Sequence, residues 1–216
     1  MFNRLIISLI LILSTSSSAF AFHPLMTDQA YTTGQGFYLL DINSSYSTKY
    51  GDIEFSPELS YGVINDLDIM VGFGSDINQS LGMSLDLKLI LLKNNYLVIS
   101  IKPFAGLKIL SLSGNTYDLG LIVVGSLNLG QYIIHENFGY DFINKAIFIS
   151  GAGEYIITND LALTLDIGTK GLVSGDIFGI VGLIYAVSED IDIDLGVKYE
   201  LSDNDISGLL GLAVKF

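Results

Sequence analysis

Two histidines, His23 and His135, are the only imidazoles in the chain that could act as a catalytic base or a metal ligand. A serine hydrolase needs a serine, a histidine and a carboxylate within hydrogen-bonding reach of one another. His135 alternates with Asn137 and Gly139 along an extended pattern, on the side of the strand that is predicted to face inward. The sequence therefore predicts a hydrogen-bonded structural histidine at 135 and no enzyme activity, and metal capture by His23 stays an alternative.

Acidic residues alternate at Asp192/Asp194 and Asp203/Asp205, and such pairs supply oxygen ligands that calcium prefers. Neither pair has the glycine and the distal glutamate of an EF-hand loop. The first pair is predicted to line a solvated wall and the second to form a turn. The chain also has no cysteine, which excludes disulfides and thiolate metal sites. No cofactor and no metal site are predicted.

The first 21 residues have the organisation of a secretory signal peptide. Arg4 precedes an apolar run at 5–13, and Ala19-Phe20-Ala21 forms a small-x-small cleavage pattern. The run is far shorter than the roughly 20 residues of a membrane-spanning helix, so an uncleaved anchor is the weaker alternative. We expect a signal peptide at 1–21, cleavage before Phe22 and a periplasmic N-terminal segment at 22–36.

The composition excludes some classes of protein. The formal net charge is -13 and basic residues are few, so nucleic acid is not an expected partner. Half of the residues are apolar and the mean hydropathy is +0.53, yet beyond the signal peptide no uninterrupted apolar run reaches the roughly 18 residues of a transmembrane helix. High apolar content without long runs is typical of membrane strands, in which lipid-facing and lumen-facing residues alternate.

The chain has a period of two along most of its length. Apolar residues at the odd positions of 55–63 alternate with glutamate, serine and glycine, and the same alternation recurs at 81–91 and 191–199. This periodicity predicts twelve strands, most of them long enough to cross a bilayer when tilted. The predicted strands are 37–47, 53–63, 67–75, 81–91, 96–109, 117–128, 132–141, 146–156, 161–169, 176–187, 191–201 and 206–216.

Short polar turns after the even strands alternate with longer connections, which predicts an up-and-down order with both ends of the barrel chain on the periplasmic side. The predicted fold is all-β, a transmembrane antiparallel β-barrel of about twelve strands over 37–216. Pro57, Pro103 and Glu136 do not fit this pattern. The prolines remove donors from strands, and a carboxylate on the outer face predicts a rim or bulge position for Glu136.

A soluble β-sandwich would alternate in the same way, so the direction of the apolar face decides between the two folds. Tyrosine and phenylalanine fall at both ends of the predicted apolar faces, as in the aromatic girdles of membrane barrels. Charged residues occupy the middle of the other face, where a hydrated lumen would accept them. The predicted lumen-lining residues are Glu54, Glu58, Asp86, Lys88, Lys102, Asp118, His135, Asn137, Glu154, Asp166, Asp192 and Asp194.

The last predicted strand alternates apolar residues and ends at Phe216. It resembles the terminal strand signal of bacterial outer-membrane barrels, which implies recognition of Phe216 by the barrel assembly machinery and insertion among outer-membrane lipids.

Several stretches resemble a family of outer-membrane proteins assigned to transport in the phenol meta-degradation pathway. The resemblance implies a barrel architecture and transport of small, aromatic compounds, and it brings no residue chemistry with it. The stretches are 23–28 with 33–36, 135–140, 154–155, 182–185, 192–197 and 211–212.

The predicted function is passive diffusion of small, partly apolar solutes through a narrow lumen. Charged inward residues come mainly from the early strands, while Ile122, Val124, Phe148, Phe178 and Ile180 come from later ones. The lumen is therefore predicted to have a polar and an apolar side, with the acidic excess disfavouring anions. A plugged structural or adhesive barrel and a barrel lipid hydrolase are the alternatives.

Overall fold

The structure, a computed structural model, describes residues 27–76, 80–110, 114–169 and 177–216. The predicted signal peptide, its cleavage site, His23 and residues 22–26 lie outside these ranges. Among the described residues, no helix is long and apolar enough to cross a membrane.

Within these ranges twelve strands form, and their ends differ from the predicted ones by at most three residues. The alternation of apolar and polar side chains is the physical reason that the prediction succeeds, because one face of each strand is apolar along its length. The strands are β1 (Tyr38–Ser47), β2 (Ile53–Ile64), β3 (Leu67–Asp76), β4 (Ser80–Lys93), β5 (Leu97–Leu110), β6 (Gly114–Asn128), β7 (Tyr132–Asp141), β8 (Ala146–Thr158), β9 (Leu161–Thr169), β10 (Ile177–Ser188), β11 (Ile191–Glu200) and β12 (Asp205–Lys215).

The sheet closes on itself, because each strand pairs with its neighbours in sequence and β1 pairs with β12 from Leu39↔Lys215 to Ser47↔Ser207. Every pairing is antiparallel, so the predicted up-and-down transmembrane barrel of twelve strands is confirmed. Closure leaves no strand edge without a partner. We call the end with Tyr38, Lys215 and the short turns the turn end, and the opposite end the loop end.

Side chains alternate between the outer face and the lumen as predicted. Leu165 is 60% exposed while Asp166 beside it is fully buried, and Leu195 is 59% exposed beside Asp194 at 1%. The exposed leucines are therefore on the outside of the barrel and the carboxylates are inside. A surface of this kind is stable only where hydrocarbon covers it.

Aromatic side chains form two clusters at the turn end of the barrel. The ring of Tyr38 lies 4.6 Å from that of Tyr61 and 5.5 Å from that of Phe216, and the rings of Tyr132 and Tyr155 are 5.1 Å apart. Rings of this type have an apolar body and a polar tip, which suits the boundary between lipid and water.

The two prolines that the periodicity left unexplained interrupt one ladder each. Pro57 stays in register with Ile42 of β1, but the β2–β3 pairing skips from Phe55↔Ser75 to Glu58↔Gly72. The β4–β5 pairing skips in the same way beside Pro103, while the β5–β6 ladder continues through Pro103↔Leu121. The N–H that each proline lacks is therefore missing from one of its two ladders, and the other ladder is complete.

Glu136 does not lie at a rim or a bulge, so that expectation was wrong. It is in the middle of β7, directly opposite Gly125 of β6 and Gly151 of β8, and both ladders continue without a register shift. Because neither neighbour has a side chain, the strand surface beside Glu136 is open on the outer face. The Glu136 side chain therefore has room to lie along the strand surface beside Gly125 and Gly151.

Candidate functional site

Residues 27–36, which we call the N-terminal segment, enter the barrel lumen at the turn end. The chain reverses from the lumen into β1 at Gly34 (φ 95°) and Gly36 (φ 83°), and backbone with positive φ favours glycine. The Gly36 N–H donates to the carbonyl of Gly62 at 2.8 Å. Thr33 donates through both its N–H and its hydroxyl to Asp68 on β3.

Of the periplasmic segment expected at 22–36, the structure describes residues 27–36, and these enter the barrel instead. Thr27 and Ala30 are fully buried, and residues 27–31 lie among the inward side chains of the barrel. The physical reason is that inward carboxylates, amides and hydroxyls accept hydrogen bonds from a segment whose backbone donors have no strand partner.

Thr27 binds Asp166 of β9 through two hydrogen bonds. The backbone N–H donates to Oδ2 at 2.8 Å and the hydroxyl donates to Oδ1 at 2.6 Å. Both residues are fully buried. A carboxylate that accepts two buried hydrogen bonds in this way is a strong anchor for the segment.

Asp28 forms the centre of a charged cluster with β4 and β5. Its carboxylate lies 2.6 Å from Lys102 Nζ and 3.7 Å from Lys88 Nζ, and Asp86 lies 3.5 Å from Lys102 Nζ. In the amide orientation that satisfies its hydrogen bonds, Asn137 accepts from the Asp28 backbone N–H, with 2.6 Å between the oxygen and the nitrogen, and donates to the Asp28 carbonyl oxygen at 3.1 Å. Side chain and backbone of Asp28 are thus held by three different strands.

Ser126, His135 and Glu154 form a connected chain of hydrogen bonds beneath the segment. Ser126 Oγ lies 2.8 Å from His135 Nδ1, and His135 Nε2 lies 3.0 Å from Glu154 Oε1. Ala30 N–H donates to the Ser126 hydroxyl, and the Gln29 amide donates to Glu154. The three residue types are those of a hydrolase triad, but here all three are buried, and Ser126 and Glu154 bind the segment.

By the alternation of the strands the predicted lumen-lining residues lie on the inward face, and they differ in what they contact. Lys88, Lys102, Asn137, Glu154 and Asp166 contact the N-terminal segment, and Asp86 and His135 are one contact removed from it. Glu58 and Asp118 line a cavity, whereas Glu54 accepts a hydrogen bond from Ser45 near the loop end, and Asp192 and Asp194 are buried on β11.

Sequence reasoning did not single out four further inward residues, Asp41, Asp68, Ser126 and Lys108. Their positions in the period of two place them on the inward face, so the same parity that found their neighbours could have found them. The partners in the N-terminal segment carry no such signal, because that segment has no periodic pattern.

Inward aromatic rings lie over glycines at two places in the barrel, between β5 and β6 and between β9 and β10. Phe178 packs against Gly168, and Phe104 packs against Gly120, at distances that a Cβ on either glycine would violate. Phe178 and Ile180 are almost fully buried. Glu154, Asp166 and Asp194 of the later strands are buried as well, so these strands form a mixed wall and not the apolar side that was expected.

The lumen holds a cavity of about 500 Å³ between the N-terminal segment and the loop end. Gly72, Gly82 and Gly106 leave space along its wall, and Thr27 and Asp28 form its floor. A cavity of this volume accommodates a small organic molecule. Its charged residues are Asp28, Asp41, Glu58, Lys102, Lys108 and Asp118.

Gly62 is expected to control the entry of the segment, because a Cβ built there meets the backbone carbonyl group of Gly34 inside contact distance. We expect Gly62→Val to expel the segment and to speed chymotrypsin cleavage after Tyr31 by about tenfold or more. Gly208→Val is the matched control, since a Cβ at Gly208 meets nothing within 4 Å. Equal protection of Tyr31 in both folded variants would show that Gly62 does not set the path.

The comparisons with known proteins establish the fold. No family model and no curated protein sequence matches the chain. Among solved structures, the KdgM porin is similar with a TM-score of 0.68 at 16% identity, covering 82% of this chain and 99% of that one. The NanC porin gives 0.60 at 14% identity over 82% and 100% of the two chains, and outer membrane phospholipase A from Escherichia coli gives 0.54 at 10% over 83% and 92%.

Proposed function

We propose that the protein is an outer-membrane channel through which small, partly apolar solutes diffuse passively. The observation that carries this proposal is a closed barrel with an apolar outer face around a polar lumen that holds a cavity of about 500 Å³. A lumen of this kind gives a hydrated path that the surrounding hydrocarbon does not. A cleaved signal peptide would export the chain, and assembly machinery that recognises Phe216 would insert it.

The similar structures support a channel over an enzyme. Two of them are described as porins, and the KdgM porin is also known in complex with disordered oligogalacturonate, so a barrel of this fold holds a soluble organic molecule. The resemblance to proteins of the phenol meta-degradation pathway supports aromatic solutes for this chain.

The charges of the cavity favour neutral solutes over multiply charged anions. Four acidic residues and two lysines line it, so an incoming phosphate meets a net negative wall. Electrostatic barriers of this type set the selectivity of narrow pores. Gly72, Gly82 and Gly106 in the wall leave room for a small, partly apolar body.

Liposome swelling tests this selectivity. We expect phenyl glucoside, which is neutral and partly apolar, to enter protein-containing liposomes about tenfold faster than glucose 6-phosphate, which corresponds to about 1.4 kcal/mol of barrier. Liposomes without protein give the background rate for each solute. Equal or faster uptake of the phosphate would overturn the proposed selectivity, and uptake at the background rate for both solutes would count against the channel itself.

A further inference from the structure

The ion pair between Asp28 and Lys102 joins two parts of the chain that are 74 positions apart in sequence. Lys102 belongs to the wall of the barrel, whereas Asp28 belongs to the N-terminal segment, and their charged atoms are 2.6 Å apart. Lys88 lies 3.7 Å from the other oxygen of the same carboxylate. The wall thus presents two ammonium groups to one carboxylate that enters the lumen from outside the sheet.

We propose that Lys102 and Lys88 form a binding site for the carboxylate group of a solute, and that Asp28 occupies this site in the structure as a built-in competitor. The proposal rests on the channel function above and names the class of solute, a small monocarboxylate with a neutral, partly apolar body.

The position of the cavity gives a solute access to this site. Asp28 and Lys102 both line the cavity, so a molecule in the cavity reaches Lys102 without crossing the segment. Gly72, Gly82 and Gly106 keep the wall above Lys102 free of bulky side chains. The carboxylate of the solute would meet Lys102 while its body occupies the cavity.

Charge balance selects a monocarboxylate. When a solute carboxylate replaces that of Asp28 at the lysines, the lysines keep a carboxylate partner, but the displaced Asp28 side chain stays at the cavity, which therefore gains one negative charge from a monocarboxylate and two from a dicarboxylate. A second carboxylate on the solute would lie near Asp41, Glu58 or Asp118, which line the same cavity. Like charges within one cavity repel, so we expect dicarboxylates to bind more weakly than monocarboxylates.

The exchange also acts on the segment. The Asp28 ion pair is a contact that ties the segment to β4 and β5, while Thr27 is held by β9 and the Asp28 backbone by β7. A bound carboxylate therefore loosens the segment on the side of the cavity. The solute would weaken the obstruction that it has to pass.

Calorimetric titration of benzoate into the detergent-solubilised, folded protein tests the proposal. Asp28→Asn removes the competing charge and keeps the shape of the side chain, so we expect it to bind benzoate about tenfold more tightly than the wild-type protein. Asp118→Asn is the matched control, because it removes the same charge from the same cavity without touching Lys102. Its affinity is expected to stay within about twofold of wild type.

A second arm tests the lysine and the charge of the probe. Lys102→Gln in the Asp28→Asn background is expected to abolish the gain, and benzamide, the neutral analogue, is expected to show no difference between the variants. Heat-modifiable gel migration reports whether each variant is folded, and if Lys102→Gln does not fold, the comparison of the two aspartate variants still decides.

Equal benzoate affinities for wild type and Asp28→Asn would overturn the proposal, as would an equal gain for Asp118→Asn or for benzamide. The result is separable from the channel function, because binding in detergent needs no transport. Tighter binding by Asp28→Asn in a barrel that conducts no ions would support the site and reject the channel.

Discussion

A chain that begins at Gly34 is expected to conduct at least roughly threefold more ion current per channel than a chain that begins at Phe22. The difference between the two chains includes residues 27–31, which lie among the inward side chains of the barrel. Single-channel recording in planar bilayers measures the effect directly.

The physical reason is that the segment crosses the lumen and obstructs it. Thr27 is bound to β9, Asp28 to β4, β5 and β7, and Ala30 to β6, so the segment crosses the interior from one wall to the other. Its removal leaves inward carboxylates, lysines and hydroxyls, which water solvates well. The vacated space is therefore expected to fill with water and ions.

A locked segment provides the control. The chain has no cysteine, so Ala30→Cys with Ser126→Cys introduces a single cysteine pair where the Ala30 N–H now donates to the Ser126 hydroxyl. With the disulfide formed, conductance is expected to stay at or below the level of the untruncated chain, and reduction is expected to restore that level. If the truncated chain conducts no better than the untruncated one, the segment does not obstruct the path.

The strands and their orientation could be predicted from the sequence because each depends on local pattern. Leu195 and Asp194 are neighbours in sequence and necessarily face opposite sides of a strand, so one apolar and one charged residue fix the direction of both. Turn residues between the alternating stretches then limit where each strand ends. The contacts between Tyr38, Tyr61 and Phe216 follow from the same register.

The N-terminal segment could not be predicted, because its structure depends on residues far along the chain. Thr27 binds Asp166 across 139 positions, and Asp28 binds Lys102 across 74. Parity places Asp166 and Lys102 in the lumen, but it does not show whether water, a solute or the protein's own chain binds them. The sequence therefore predicts the wall of the candidate site and leaves its occupant open.

A channel of this kind requires hydrocarbon to cover the outer face of the barrel. A lysine placed on that face is therefore expected to lower the stability of the barrel strongly. We expect Leu195→Lys to lower the free energy of unfolding by about 2–4 kcal/mol in lipid vesicles, because an ammonium group near the bilayer midplane is poorly solvated. Leu195 lies in the middle of β11 between Leu183 and Leu210, and all three are outward. Equilibrium unfolding in guanidinium chloride measures the loss.

Leu201→Lys is the matched control, since the same substitution is made at a leucine of nearly equal exposure, 57% against 59%, at the loop end of the barrel. Near the interface its cost is expected to be only about 0–1 kcal/mol. Only a depth-dependent solvent produces this difference, because on a water-exposed surface both lysines would change stability by roughly 0.5 kcal/mol or less. Equal costs at the two positions would therefore remove the membrane, and with it the channel, from the interpretation of this barrel.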